Sequence, residues 1–164
     1  MVSSAQTIPE ARRSFYVMDA EVHLRLTSAE TEGRYCAIEL SLPAGFAGAP
    51  MHFHREMAER FVVLEGSLEI AIAGQSMTLR AGESAVASPG DVHCFRNTSG
   101  ERAQLLLLVT PAGHERFFVE LMEWMEREPT WPPADRRALA EFGKRHDTEY
   151  VQPAVQVLTA PEHR

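Results

Sequence analysis

Cysteine is nearly absent: Cys36 and Cys94 are the only two in 164 residues, too few for a disulfide framework. Positive charge is also short, with 16 lysines and arginines against 23 acidic residues and a formal net charge of −7. Nucleic acid and anionic membranes are bound by clustered cations that displace counterions. The longest basic cluster, Lys144-Arg145-His146, stands beside Asp147 and Glu149 and reads as the solvated end of a helix. Neither nucleic acid nor membrane is expected as a partner. No apolar run approaches the roughly 20 residues of a membrane span. The opening MVSSAQTIPEARRSF has no apolar stretch of signal-peptide length, so a cytoplasmic protein is expected. Also missing are a Gly-x-Ser-x-Gly elbow, a phosphate loop, Gly-x-Gly-x-x-Gly and Cys-x-x-Cys, which leaves the common hydrolase, nucleotide and thiol-redox signatures without support.

What remains is a chain of one ordinary domain's length, 45% hydrophobic and 24% charged, large enough for a proper core. Residues 15 to 110 read as β-structure. YVMDAEVHLRL and RYCAIELSL alternate partially and are split by the polar turn TSAETEG. From Phe61 to His93, short strands are cut by Gly66, Gly74, Gly82 and the Pro89-Gly90 pair, the rhythm of a sandwich or barrel. Leu68, Ile70 and Ile72 share one face of their strand, and Gln104 to Thr110 is apolar on both faces, which predicts a central, doubly covered strand. The pattern changes at Pro111. Phe117, Leu121, Trp124 and Met125 recur at helical spacing, Thr110-Pro111 is a helix start signal, and EPTWPP breaks the helix. A second helix is expected over ADRRALAEFGKRH with Leu139 and Phe142 inward, followed by a tail, VQPAVQVLTAPEHR, ordered at first and loose at its end.

The chemistry concentrates in MHFHREMAERFVVLEG. In a strand, His52 and His54 project to one face and Phe53 to the other. Glu59 follows across a short turn, where a hairpin would bring it beside the two imidazoles. Downstream, Pro89-Gly90 makes a turn and His93 opens the next strand. Three neutral imidazoles and a carboxylate form a mixed nitrogen and oxygen donor set, which suits a divalent transition ion better than calcium or magnesium. Such a set also leaves coordination positions free for substrate. His-x-His taken alone is more often a surface pair.

These residues resemble the cupin superfamily. Its first motif is His-x-His, four residues, Glu, six residues, Gly, matched by His52, His54, Glu59 and Gly66. Its second motif is matched by Gly82, Gly90, His93 and Asn97. Two departures occur. Ser88 stands where a proline is usual, and the glycine before the first histidine is displaced, with Gly45 and Gly48 flanking its position. Both fall in turns and leave the four ligands intact. LLLLVTPAGHERFF is similar to the barrel exit of bacterial quercetin-dioxygenase-like cupins. The resemblance implies a mainly β fold, a double-stranded β-helix or jelly-roll barrel with C-terminal α-helices. Residues 1–110 would be the barrel domain with N-terminal strands, and 111–164 a helical extension packed on it. It further implies one ion (Fe, Mn, Ni, Co, Cu or Zn) on His52, His54, Glu59 and His93; Glu59, the candidate catalytic residue, is expected to act as ligand, as general base, or as both in turn.

By strand parity, Phe61, Phe95 and Asn97 join the ligands on the inner face and are expected to line a substrate pocket. Glu39 is placed with them as a residue that orients a ligand imidazole, though a solvated strand position is an equal reading. Glu56 is expected to be exposed, Asp91 a turn residue and Cys94 turned away. His23, His114, His146 and His163 have no partners in spacing and are expected on the surface. The function implied is a dioxygenase acting on a small flavonol-like or enol substrate. The alternatives are a metal-dependent isomerase, cyclase or lyase, or a non-catalytic binding module. A homodimer is expected, as single-domain cupins resemble one another in pairing through their sheets.

Overall fold

The computed structural model describes residues 8–9, 13–128 and 130–151. The expectations for the tail beyond Val151 and for His163 fall outside these residues. Ten strands precede the helices: β1 (Ser14–Val17), β2 (Ala20–Leu26), β3 (Cys36–Leu42), β4 (His52–Phe53), β5 (Ala58–Glu65), β6 (Ser67–Ile72), β7 (Gln75–Arg80), β8 (Ser84–Ala87), β9 (His93–Arg96) and β10 (Ala103–Thr110). Then come α1 (His114–Arg127), α2 (Arg136–Arg145) and a short β11 (Glu149–Tyr150). Two antiparallel sheets result, ordered β1-β2-β3-β10-β5-β8 and β11-β4-β9-β6-β7. This is a mainly β jelly roll with C-terminal helices.

Alternation selects the inner faces. In β5, Glu59, Phe61 and Val63 are buried while Arg60 is exposed. In β6, Leu68, Ile70 and Ile72 are buried. Phe61 of the larger sheet meets Phe95 of the smaller at 5.9 Å between ring centroids, so the two inner faces close on one core. β10 is central, bonded to β3 on one side and β5 on the other. Its inner residues Leu105, Leu107 and Val109 are buried, but Leu106 and Leu108 are half-buried on the outer face. That strand is therefore fully covered on one side only.

Two glycines combine a left-handed φ with a close approach. At Gly66, φ is +74° and a Cβ would lie 2.8 Å from the Arg102 carbonyl oxygen. Gly48, with φ +95°, brings its backbone so near β9 that a Cβ would sit 1.9 Å from the Phe95 carbonyl oxygen. Only glycine meets both demands.

The first helix begins at His114 rather than at Thr110-Pro111. Gly113 at its N-cap has no side chain to cap with. The buried Glu115 replaces it, accepting the Gly113 N–H at 2.9 Å and the Ser28 N–H at 2.7 Å. The helix start is thereby fixed to the loop after β2. α2 is capped by the Asp135 carboxylate on the Arg137 N–H and buries Leu139 and Phe142. β11 then pairs with β4, Tyr150 opposite His52. The chain after Pro111 thus adds a strand to the smaller sheet as well as two helices.

Candidate metal centre

β4 and β9 bring two histidines together. His52 and His93 are direct antiparallel partners, with ring centroids 4.3 Å apart. His54 follows on the same face of the chain. β5 presents Glu59 from the opposite sheet, its Oε2 3.0 Å from His93 Nε2 and its Oε1 3.6 Å from His54 Nε2. All four side chains are buried, and one donor atom from each falls within 4.8 Å of the others. Nitrogen and oxygen ligands bind such ions at about 2.0–2.2 Å, so shifts of a few tenths of an ångström close this set on one ion.

Hydrogen bonding fixes the tautomers. His52 Nδ1 lies 2.7 Å from the Pro50 carbonyl, His54 Nδ1 2.7 Å from the Asp147 carbonyl and His93 Nδ1 2.8 Å from the Asp91 carbonyl. A carbonyl only accepts, so each Nδ1 carries a proton and Nε2 is the nitrogen each ring turns to the centre, where loss of its own proton frees a lone pair for an ion. The three Nε2 atoms converge on the Glu59 carboxylate, where His93 is within hydrogen-bond distance of Oε2 at 3.0 Å. His54 Nε2 is buried without any hydrogen-bond partner. Uncompensated buried acceptors cost free energy, and a cation among them removes the conflict. The residues therefore fit a divalent transition ion.

Burial opposes charge on His54, but the Glu59 carboxylate beside it outweighs that and raises its imidazole, favouring a proton that an ion would displace. Burial, reinforced by neighbouring His93, pushes the His52 imidazole down to about 3. Burial opposes charge on Glu59, yet contacts with His54 and His93 hold its carboxyl well below the usual range. At neutral pH the centre offers a neutral His52 and an anionic Glu59, the forms that ligate.

The other expected site residues separate. Phe95 lines the cavity beside the centre. Phe61 is wholly buried, edge-on to His93 at 5.8 Å, and supports that ring from the core. Asn97 points inward as parity predicts, but its amide donates to the Pro43 and Glu101 carbonyls at 2.9 and 2.8 Å and its oxygen accepts from Ser99. It clamps the loops at the barrel end and is not among the cavity-lining residues. Glu39 corrects the expectation more sharply: it sits on the outer face of β3, bonded to Arg25 at 2.8 Å. The neighbours Ile38 and Leu40 take the inner positions, so parity excludes it from the pocket. Glu56 is exposed, Asp91 caps its turn by accepting the Ser88 N–H, and Cys94 faces away from the centre.

His114 is the largest departure. Expected on the surface, it is 5% exposed, with Nε2 3.3 Å from Glu59 Oε1. The helical stripe of Phe117 and Leu121 extended one turn back reaches position 114, so a periodic signal was there. His146 is mostly buried too, paired with Glu120 at 3.1 Å. His23 is half-buried and bonded to Ser14. Thr148, Tyr150 and Trp131 also line the cavity, and no spacing rule marked them.

The cavity opens beside His52, Glu59 and His114 and has a volume of about 100 Å³. Its walls are apolar and rich in aromatics, including Phe46, Phe95, Phe117, Phe118 and Trp131. No lysine or arginine lines it, and Glu59 is its one acidic lining residue among the described residues.

Comparison with known proteins fits this geometry. The family described as "Cupin domain" matches residues 38–109, which contain all four candidate ligands. That segment, somewhat less than half of the chain, is similar to a cupin domain. An uncharacterized protein of Aquifex aeolicus is 38% identical over 72 residues, 43% of this chain, and the match spans 59% of that relative's length. Among solved structures, KdgF from Halomonas sp. is similar with a TM-score of 0.57 at 16% identity, over 66% of this chain and 96% of that one. A predicted oxalate decarboxylase from Thermotoga maritima has a TM-score of 0.55 at 20% identity, over 68% and 98%. The polyketide cyclase RemF from Streptomyces resistomycificus has 0.50 at 20%, over 60% and 67%. At these identities the structural likeness speaks for the cupin fold alone. Among the described residues no helix is long and apolar enough to cross a membrane.

Proposed function

We propose that this cupin is a metal-dependent dioxygenase acting on a small, uncharged, largely apolar molecule that bears an enol or phenol hydroxyl. The observation that carries the reading is the composition of the cavity: aromatic walls, no cationic side chain, and a mouth onto His52 and Glu59. A carboxylate or phosphate substrate would enter without a counter-charge from the protein, at a high desolvation cost. A flat, neutral ring would instead bury its faces against Phe95, Phe117 and Trp131.

An ion held by His52, His54, Glu59 and His93 would lower the pKa of a substrate hydroxyl bound to it. Glu59 is ionised, buried and placed to take that proton. The apolar walls exclude water from the resulting enolate, leaving it for oxygen. A second reading is isomerisation or cyclisation without oxygen. It is favoured by the 3.3 Å approach of His114 to Glu59, which supplies a second proton-handling group at the carboxylate. The experiment is oxygen uptake by protein reconstituted with each candidate ion, offered flavonols and simpler enols. Uptake that matches substrate loss supports dioxygenation. Turnover that persists under nitrogen moves the assignment to the second reading, and binding of substrate recovered unchanged would leave only a binding module.

A cytoplasmic homodimer belongs to the same proposal. The outer face of the larger sheet exposes Tyr35, Leu64 and Val86 beside the half-buried Leu106 and Leu108. A solution mass near twice 18.3 kDa is expected at micromolar concentration, and a monomer would refute it.

A further inference from the structure

We propose that His114 is a positioning residue of the metal centre: it donates its Nε2 proton to Glu59 Oε1 and so orients the carboxylate among the ligand histidines. The inference rests on reading His52, His54, Glu59 and His93 as that centre. It adds a residue from α1 to a site otherwise built from the β-strands and the loops between them.

The surroundings of Nδ1 separate the four histidines buried among the described residues into two kinds. His52, His54 and His93 each give Nδ1 to a main-chain carbonyl, which frees Nε2 for an ion. His114 is the reverse. Its Nδ1 is buried without a partner, and its Nε2 is the nitrogen that approaches Glu59, at 3.3 Å. A carboxylate only accepts, so the tautomer that satisfies this contact carries the proton on Nε2. The two carboxylate oxygens then have different neighbours: Oε2 meets His93 Nε2 at 3.0 Å, while Oε1 lies 3.3 Å from His114 and 3.6 Å from His54.

The ring is held for this task. Phe117 stacks on it at 5.1 Å and 11°, and Phe118 meets it edge-on at 5.3 Å. One residue along, Glu115 pins the helix start to Ser28 and Gly113. The Ala112 N–H bonds the Gly33 carbonyl at 3.1 Å. A ring held on both sides by packing and main-chain bonds donates without a further loss of rotamer freedom. Partners that orient ligand groups commonly shift metal affinity by about 10- to 100-fold when removed.

The test uses the full-length protein, freed of metal and titrated with cobalt(II), as wild type, His114→Leu and His114→Gln. Leucine keeps an apolar side chain and loses the donor; glutamine places an amide N–H near the Nε2 position. The thermal midpoint of each metal-free protein reports folding. The expected result is a cobalt Kd raised about 10- to 100-fold in His114→Leu, with the visible cobalt bands changed in intensity. Glutamine restores most of both. A His114→Leu protein that is folded and binds cobalt within about twofold of wild type, with an unchanged spectrum, overturns the inference. So does equal weakening in both variants, which marks a packing role. The readout is ion binding rather than turnover. A protein that shows the leucine and glutamine split but consumes no oxygen overturns only the proposed reaction. No cobalt bound by wild type overturns both.

Discussion

Asp147 ties the C-terminal segment to the ligand strand, and its removal is expected to damage stability and metal binding together. Its carboxylate accepts the N–H groups of Arg55, Glu56 and Met57, each at 2.9 Å, and its carbonyl accepts from His54 Nδ1. Two of the three carboxylate bonds are exposed and one is half-buried. Hydrogen bonds to charged groups contribute about 1.5–3 kcal/mol when buried. Discounted for water at the exposed pair, the three sum to roughly 2 kcal/mol. Asp147 also sits at φ +52°, where alanine costs about 1 kcal/mol that aspartate and asparagine largely avoid. Asp147→Ala should therefore lose about 3 kcal/mol and Asp147→Asn about 1. At about 2–4 °C per kcal/mol for a chain of this size, metal-free melting temperatures should fall by roughly 6–12 °C and 2–4 °C. Urea midpoints with unchanged m-values provide the check. The sign with pH follows from the carboxyl. Burial opposes its charge, but the main-chain N–H groups of Glu56, Met57 and Arg55 outweigh that and lower it. Its contribution is present above the unfolded value of ~3.9 and is lost as pH falls through the folded value. The gap between wild type and Asp147→Asn should thus close in acid. Cobalt affinity of Asp147→Ala should drop at least about tenfold because the main-chain carbonyl that accepts from His54 Nδ1, though retained, is no longer held in place by the carboxylate's bonds to residues 55–57. Identical urea midpoints for the two variants, or an alanine variant that holds cobalt as tightly as wild type, would refute the reasoning.

Elemental analysis of purified protein should find about one transition ion per chain, and none in the His52→Ala, His93→Ala double variant. At about 100-fold excess over Kd, a bound ion should stabilise the wild type by about 2.7 kcal/mol in thermal unfolding; an equal rise in the double variant would place the ion elsewhere. Gly66→Ala forces a Cβ to 2.8 Å from the Arg102 oxygen at φ +74°, for an expected loss of about 2–3 kcal/mol by urea denaturation. Asn97→Ala leaves the Pro43 and Glu101 carbonyls without their donor and should cost about 2 kcal/mol without changing cobalt affinity, since it lies away from the centre.

The strand period made most of this centre legible. His52, His54 and Glu59 lie within eight residues, and period two decides their common face without knowledge of the rest of the chain. His93 is farther in sequence, but the turn at Pro89-Gly90 sets its phase. The same rule led to Asn97, correctly inward, yet parity says only which face a side chain takes and not how far along the barrel axis it stands. Asn97 stands where the loops are tied, and Phe61 stands beneath the centre rather than beside the cavity. Glu39 shows the limit on the other side: an acid within an apolar strand looks like a buried functional group. Its parity with Ile38 and Leu40 was the better guide.

What could not be read came from the other period. His114, Trp131, Thr148 and Tyr150 reach the cavity from α1, the loop after it, the turn between α2 and β11, and β11. Their places depend on how the helices dock on β1 and β3, which no local pattern specifies. A helix stripe says that a face is buried, not against what. His114 had a place on that stripe and was passed over because ligand histidines were sought by their mutual spacing. The tautomers give the better criterion. A ligand imidazole has its far nitrogen tied to a carbonyl, and His114 does not, although it approaches the same carboxylate. Proximity alone would count five groups in the centre; the Nδ1 bonds to main-chain carbonyls mark three of these histidines as candidate ligands beside Glu59 and leave His114 as the proposed donor.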